Sequence, residues 1–162
     1  MIKGEKMSFN IVLVEPEIPQ NTGNIARTCV VANAKLHLIK PLGFELDEKQ
    51  ARRAGMDYWK DVDVKVYENL DEFFKINKDA RFFLSSTKAK LKHSDAKFEK
   101  NDFILFGKET KGLPEDLIFS NLDKAIRIPM DKNQRSLNLS NAVAIVLYEA
   151  LRQNNYFDLD IK

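Results

Sequence analysis

The sequence has one cysteine, two histidines and no long apolar run. Cys29 cannot form an internal disulfide, and no second thiol or pair of histidines lies near it for a zinc site. We therefore expect a protein of the reducing cytoplasm that needs no metal. No stretch approaches the roughly 20 consecutive apolar residues of a membrane span, and the charged start MIKGEKM lacks a signal-peptide core. A membrane protein is thus disfavoured, and either Met1 or Met7 is a possible start.

A strong excess of charge of one sign is also missing. The 162 residues include 26 basic and 24 acidic side chains, which leaves a net charge of +2. Bulk electrostatics therefore do not predict nucleic-acid binding, and any such contact must come from a local patch. Lysine is concentrated between residues 88 and 100, where a solvated surface loop is the simpler interpretation.

Common nucleotide-binding and hydrolase motifs are absent as well. The segment EPEIPQNTGN, after the first predicted strand, lacks the G-x-G-x-x-G turn, and Gly107 lacks the glycine and Ser/Thr spacing of a P-loop. No G-x-S-x-G elbow occurs, and only His37 and His93 are available to a Ser/His hydrolase. These absences disfavour an ordinary dinucleotide-binding fold, an NTPase and a hydrolase. We interpret both histidines as structural or surface residues.

The chain does contain short apolar runs that alternate with segments of helical periodicity. This pattern predicts an α/β domain with a mostly parallel sheet. Its length and its 44% apolar residues suit a single domain. Asn21 or Thr22 is expected to cap the first helix. The predicted strands are residues 9–14, 36–39, 62–67, 81–85, 103–106 and 125–128. The predicted helices are residues 22–32, 47–55, 69–76, a short one after Pro114, and 139–153.

Residues 15–27, EPEIPQNTGNIAR, form the first segment with more polar groups than its local structure requires. It follows the carboxyl end of the first strand, where ligands of open α/β sheets usually bind. Arg27 has a permanent, planar set of donors suited to phosphate, and Asn21 and Asn24 can fix a sugar or order the loop. A helix cap at Asn21 and a surface ion pair at Arg27 are an equally good interpretation of this segment alone.

Two further segments also have more polar groups than their local structure requires. In residues 103–114, FILFGKETKGLP, glycines let the backbone approach a ligand, and Glu109 can accept hydrogen bonds, although a tight turn with solvated charges explains it equally well. The third segment, residues 126–150, begins its helix with more short polar side chains than one N-cap requires. That helix is apolar around more than one face, so it is either buried in its own core or shared with a partner chain.

The chain contains, in this order, the segments NTGNIAR, FGKETKGLP and IRIPM…RSLNLSNAV. Together they resemble the three motifs of the SPOUT methyltransferases, specifically the minimal members that methylate the wobble ribose of tRNA. The resemblance implies a SPOUT domain at residues 9–156, an N-terminal extension at 1–8 and a tail at 157–162. It also implies an α/β fold with helices on both faces of the sheet and a C-terminal trefoil knot. Knots are rare, so only the resemblance supports this one.

The same resemblance implies S-adenosylmethionine as methyl donor, S-adenosylhomocysteine as product, tRNA as substrate and a homodimer formed through the C-terminal helix. Lys108 and Ser85 depart from the family pattern, since close relatives often have proline and leucine there. Matched to the motifs, the residues that carry the chemistry are Asn21, Arg27, Glu109, Ser136 and Asn138. The residues that hold the cofactor, partly through main-chain groups, are Ser85, Gly107, Ile128 and Ser136.

The mechanism leaves two roles open for Arg27. Methyl transfer to a ribose hydroxyl requires alignment of oxygen, carbon and sulfur, and removal of the hydroxyl proton. The resemblance assigns Arg27 as the base, yet an arginine stays protonated in proteins. It therefore acts either as a base assisted by an RNA phosphate or only as a phosphate clamp. Two other functions also stay open: a methyltransferase for rRNA or another tRNA position, and a non-catalytic RNA-binding factor.

Overall fold

A computed structural model describes residues 8–46, 59–157 and 159–161. The predicted helix at 47–55 lies outside these residues. The strands of the described part are β1 (Asn10–Val14), β2 (Lys35–Ile39), β3 (Val64–Tyr67), β4 (Phe82–Ser85), β5 (Leu91–Lys92), β6 (Phe103–Phe106) and β7 (Ala125–Arg127). Its α-helices are α1 (Pro19–Val31), α2 (Leu70–Ile76), α3 (Glu115–Phe119) and α4 (Leu139–Gln153), and short 3₁₀ helices span Trp59–Asp61, His93–Asp95 and Leu122–Lys124.

These strands form one sheet in the order β3-β2-β1-β6-β4-β7-β5, and every pairing between them is parallel. All five residues of β1 are buried, as expected for a strand covered on both faces. Because β6 lies between β1 and β4, the carboxyl ends of β1, β6, β4 and β7 are neighbours. The three polar segments follow β1, β6 and β7, so the sheet brings them to one edge.

Helices cover both faces of the sheet. On one face, strand residues such as Ile11 and Ile104 pack with Ile25 of α1 and Val143 of α4. On the other face, Leu105 belongs to a second apolar cluster that contains residues of α2 and α3. The predicted α/β fold with a parallel sheet and two helical layers is therefore confirmed. The knot stays a prediction of the resemblance.

The start of α1 differs from the sequence-based expectation. The helix begins at Pro19, one turn before the predicted start at Thr22, and Ile18 is its N-cap. Proline is favoured at the first position of a helix because its fixed φ suits the helix and its missing N–H costs nothing there. Asn21 and Thr22 are consequently buried inside the helix. The prediction that one of them caps the helix is wrong.

The lysine-rich run contains a strand that its composition did not reveal. Leu91 and Lys92 form β5, which pairs with β7 at one edge of the sheet. A strand of two residues is too short to show an alternation of apolar and polar positions. The interpretation of this run as a solvated loop therefore misses its ordered part.

His37 is the centre of a buried hydrogen-bond network. Its Nε2 donates to Asn10 Oδ1 at 2.9 Å, because the Asn10 amide nitrogen is already directed at the carbonyl of Asn101. Nδ1 then accepts from the Tyr67 hydroxyl, also at 2.9 Å. Burial, aided by the positive charges of Lys65 and Lys35, lowers the pKa of His37 to about 4. His37 is thus a structural residue.

No helix in the described ranges is both long enough and apolar enough to cross a membrane.

Candidate active site

A pocket of about 560 Å³ lies where the carboxyl ends of β1, β4, β6 and β7 meet. Its volume is in the range that binds small molecules and cofactors, roughly 300–1,000 Å³. Most of the residues expected to carry the chemistry or hold the cofactor line it; they are Asn21, Ser85, Gly107, Glu109, Ile128, Ser136 and Asn138. The structure therefore brings the three polar segments and Ser85 together around one cavity.

Glu109 joins the second polar segment to the beginning of α1. Its Oε2 accepts a hydrogen bond from the backbone N–H of Glu17 at 2.8 Å. Its Oε1 accepts from the N–H of Ile18 at 3.0 Å and from Asn21 Nδ2 at 3.3 Å. A carboxylate at this place also faces the positive end of the α1 dipole. Glu109 thus anchors the two residues that precede α1 and the Asn21 side chain, at a helix start where the apolar Ile18 provides no side-chain cap.

The Glu17 carboxylate, in turn, accepts hydrogen bonds from Thr110, the residue that follows Glu109. Glu17 Oε1 accepts hydrogen bonds from the N–H of Thr110 at 3.1 Å and from its hydroxyl at 2.7 Å. The hydroxyl bond is the largest cause of the lowered pKa of Glu17. Lys108, where relatives often have proline, forms an ion pair with Glu15 at 3.2 Å. The loops on either side of the pocket entrance are therefore fastened together at several points.

Asn21 connects this arrangement to the third segment. Asn138 Nδ2 donates to Asn21 Oδ1 at 3.1 Å. Asn138 Oδ1 in turn accepts from the backbone N–H of Ser140 at 2.9 Å and from its hydroxyl at 2.6 Å, so Asn138 is the N-cap of α4. These partners fix the orientation of both amides. One continuous set of hydrogen bonds therefore runs from Glu109 through Asn21 and Asn138 to α4.

Gly107 is required by the tight turn that bears Glu109. A Cβ atom at this position would lie 1.9 Å from the carbonyl carbon of Gly112 and 2.1 Å from the nitrogen of Leu113. Gly112 itself has a φ of +70°, in the left-handed region that favours glycine, with open space where a Cβ would be. The first glycine is thus needed for space and the second for backbone conformation.

Arg27 lies outside the cavity. It is exposed on α1 and is not among the residues that line the pocket. Of the residues expected to carry the chemistry, Arg27 is therefore the one that does not line the pocket of its own chain. The described part of the chain also contains no cluster of three or more His, Cys, Asp or Glu side chains that could hold a metal ion.

Sequence patterns did not reveal every residue at this site. Glu17 and Thr110 lie within the first two polar segments, but nothing in their spacing indicated that they bond to each other. Arg127 and Arg135 also line the pocket. Arg127 ends a short strand, and a single charged residue at a strand end is an ordinary feature of a surface. Only the folded chain distinguishes these positions.

Comparison with known proteins gives concordant matches. Residues 8–148 match the model of the SpoU rRNA Methylase family. A tRNA (cytidine(34)-2′-O)-methyltransferase of Saccharophagus degradans is 49% identical over 146 residues, which cover 90% of this chain and 95% of that protein.

Solved structures agree in fold. A Bacillus anthracis crystal structure, of a protein provisionally named an RNA methyltransferase, has a TM-score of 0.90 at 48% identity and covers 96% of this chain and 99% of that one. A structure solved to explain 2-OH methylation of C/U34 on tRNA has a TM-score of 0.86 at 40% identity, with 93% and 98% coverage.

Proposed function

Because the chain belongs to the SpoU methylase family, we propose that it transfers the methyl group of S-adenosylmethionine to the ribose 2′-hydroxyl of nucleotide 34 of tRNA. The relative from S. degradans supports this substrate, since 90% of the present chain aligns with 95% of that enzyme. The observation that carries the proposal is the uninterrupted connection from Glu109 through Asn21 to Asn138 along the wall of one cavity. A factor that only binds RNA has no need of such a site. We place the reaction in the cytoplasm.

The pocket suits the proposed cofactor. Its volume and its mixed lining of apolar side chains and exposed main chain at the Gly107 turn fit a nucleoside with an amino-acid tail. Ser85, Gly107, Ile128 and Ser136 are the residues that we propose hold it. When bound, the sulfonium supplies an electrophilic methyl group, which no side chain of the protein can provide.

We assign Glu109 a positioning role. Its carboxylate already accepts three hydrogen bonds, from two backbone N–H groups and the Asn21 amide. These donors occupy both carboxylate oxygens, so the group is engaged in holding its own chain. Glu109 therefore holds the pocket wall in place, and Asn21 and Asn138 transmit this order to the start of α4. Ser136, in the loop before α4, lies beside them to contact the cofactor or the substrate.

The position of Arg27 supports a homodimer as the active form. Arg27 is outside the pocket of its own chain, whereas α4 leaves Ile145 40% exposed and Tyr148 39% exposed. We propose that a second copy packs on α4 and that each pocket receives Arg27 from the other chain. Sedimentation of the active protein is expected to give a dimer. A stable monomer with full activity would contradict this arrangement.

The Arg27→Lys variant distinguishes the two possible roles of Arg27 by its effects on turnover and on tRNA binding. Lysine keeps the positive charge but loses the planar pair of donors. If Arg27 takes part in proton removal, turnover at saturating tRNA falls. If Arg27 only clamps a phosphate, tRNA binds more weakly and turnover at saturation is retained.

The reaction itself is tested by incubating the protein with total RNA and S-adenosylmethionine carrying a radiolabelled methyl group, and then mapping the modified nucleotide. We expect label in tRNA, at the 2′-oxygen of nucleotide 34. Label in rRNA or at another tRNA position would favour a different 2′-O-methyltransferase. No label in any RNA would favour a binding factor.

A further inference from the structure

We infer that Lys92, Arg127 and Arg135 form a phosphate-binding strip that holds the RNA backbone beside the pocket. The inference rests on the proposed function, because it concerns the substrate of that same site. It assigns a contact to one lysine of the run between residues 88 and 100 and leaves the others without one. Three features of the molecule support it: the charge of the pocket wall, the pairing of each cation and the register of two strands.

The pocket wall has far more positive than negative charge. Among the described residues that line the pocket, Glu109 is the only acidic one, and its carboxylate is already engaged by donors of the α1 start. The whole chain has a net charge of only +2, so this concentration is local. The cationic residues of the wall are Lys88, Lys108, Lys111, Arg127 and Arg135.

Three of these cations have an acidic neighbour. Lys88 is paired with Glu115, and Lys108 with Glu15. Lys111 lies close enough to the Glu17 carboxylate to contribute, after the Thr110 hydrogen bonds, to its lowered pKa.

The two arginines of the wall differ from these lysines. Within residues 8–46, 59–157 and 159–161, neither Arg127 nor Arg135 forms a side-chain hydrogen bond or an ion pair. Guanidinium groups match the geometry of phosphate oxygens through two parallel donors. These two side chains are therefore available to a bound anion.

Strand register adds Lys92 to the arginines. β5 and β7 are parallel neighbours, and Lys92 is the register partner of Arg127. Register partners on adjacent strands, about 4.8 Å apart, direct their side chains to the same face. Two like charges placed side by side repel each other, and an anion lying across both relieves that repulsion. Lys92 is exposed at the sheet edge, so the strip extends from the pocket to open surface.

An RNA backbone suits this strip better than the cofactor does. S-adenosylmethionine has one carboxylate and a positive sulfonium, so it does not need several cations. Lys92 is also absent from the pocket wall, where a bound cofactor would make its contacts. A polyanion that enters the pocket with one nucleotide, and continues over the sheet edge, contacts all three.

The test uses single Lys92→Gln, Arg127→Gln and Arg135→Gln variants, with Lys100→Gln as the matched control. Lys100 belongs to the same lysine run but precedes β6, at the amino-terminal edge of the sheet opposite the pocket. Binding of an anticodon stem–loop RNA is measured over a range of KCl concentrations, and binding of S-adenosylhomocysteine is measured in parallel.

Each lost phosphate contact is expected to reduce the slope of log Kd against log salt by about 0.7. If variant and wild type bind equally at 1 M salt, the variant then binds about fivefold more weakly at 0.1 M salt. Lys100→Gln should keep the wild-type slope, and affinity for S-adenosylhomocysteine should stay unchanged in Lys92→Gln. Arg127→Lys keeps the charge and is expected to restore most of the slope lost in Arg127→Gln.

Wild-type slopes in Lys92→Gln and Arg135→Gln would overturn the inference; both residues are exposed, so their variants are expected to fold. Weaker S-adenosylhomocysteine binding in all three variants, with an unchanged RNA slope, would also overturn it, because the cations would then serve the cofactor. Failure of the proposed function is distinguishable. It appears as an absence of methyl transfer to RNA by the wild-type protein, whatever the slopes of the variants.

Discussion

Asn138 donates a hydrogen bond from Nδ2 to Asn21 Oδ1 at 3.1 Å, although the two residues are 117 positions apart in the chain. The same Asn138 side chain caps α4 through its oxygen. One amide therefore stabilises a helix with one atom and positions a residue of the pocket wall with the other. These two contributions can be separated by substitution.

Asn138→Asp should separate stability from activity. Aspartate keeps the oxygen that caps α4 but has no donor for Asn21, so methyl transfer should fall by about ten- to a hundredfold through mispositioning. Stability should fall only by the cost of that one hydrogen bond, about 1 kcal/mol. Asn138→Ala should lose about 1 kcal/mol of unfolding free energy more than this, because it also removes the cap. Asn69→Ala removes the equivalent cap of α2 and is the control: it should lose similar stability and keep activity. Full activity of Asn138→Asp would show that the bond to Asn21 is not needed.

Glu109→Gln should destabilise the protein as well as inactivate it. Glutamine offers one oxygen to donors that now share two, and its NH₂ group faces an N–H of the α1 start. A lost hydrogen bond to a charged group costs about 1.5–3 kcal/mol, and urea unfolding measures this loss. Glu68→Gln, which breaks an exposed ion pair with Lys40, should change stability by less than about 1 kcal/mol. Equal losses in the two variants would contradict the role of Glu109 as an anchor of the α1 start.

Gly107→Ala and Gly112→Ala should differ in severity. At position 107 the added Cβ overlaps backbone atoms of the same turn, so the turn must open and binding of S-adenosylhomocysteine should be lost. At position 112 the space is open, and the cost is that of a left-handed alanine, roughly 1–2 kcal/mol. Calorimetric titration with S-adenosylhomocysteine, together with thermal unfolding, distinguishes the two. Unimpaired binding by Gly107→Ala would show that the turn tolerates opening.

Stability should fall in mild acid because of His37. Its pKa is about 4 in the folded protein and near 6.5 when unfolded. Above pH 6.5 both states are neutral and His37 contributes no pH dependence. Between about 6.5 and 4 only the unfolded state binds the proton, so stability falls by about 1.4 kcal/mol per pH unit, roughly 3 kcal/mol in all.

The check on this prediction is urea unfolding between pH 7 and pH 4.5 for the wild type and for His37→Gln. The variant has no group that titrates at this position, so its stability should decline less steeply over the same range. Parallel declines in the two proteins would assign the acid sensitivity to other groups.

Much of the fold was predictable because its signals are local. Apolar runs such as residues 9–14 and 103–106 became central parallel strands, since a strand buried on both faces needs no alternation of polar residues. The start of α1 was not predictable with the same accuracy. Pro19 is compatible with either a turn or a first helical position, and the contacts of Glu109 with Glu17 and Ile18 favour the second.

The candidate site was also predictable only in part. Its residues stood out by their chemical type and by the resemblance of three segments to known motifs, and the order of strands then placed all but Arg27 around one pocket. Arg27 is the exception because of the direction in which its side chain leaves α1. Arg27 follows the buried Ala26 on the same helix, and only the packing of α1 on the sheet determines which of the two faces outward.

The amino-acid sequence by itself determined the types of most of the described elements, the fold class and the family, because hydrophobic periodicity and motif composition are properties of short segments. Tertiary structure alone decided which polar groups meet. Three contacts join residues that are distant in the chain: the hydrogen bond from Asn138 to Asn21, the hydrogen bond from Thr110 to Glu17, and the strand pairing of Lys92 with Arg127. Such contacts depend on the order of strands in the sheet, which the local pattern of any one segment does not specify.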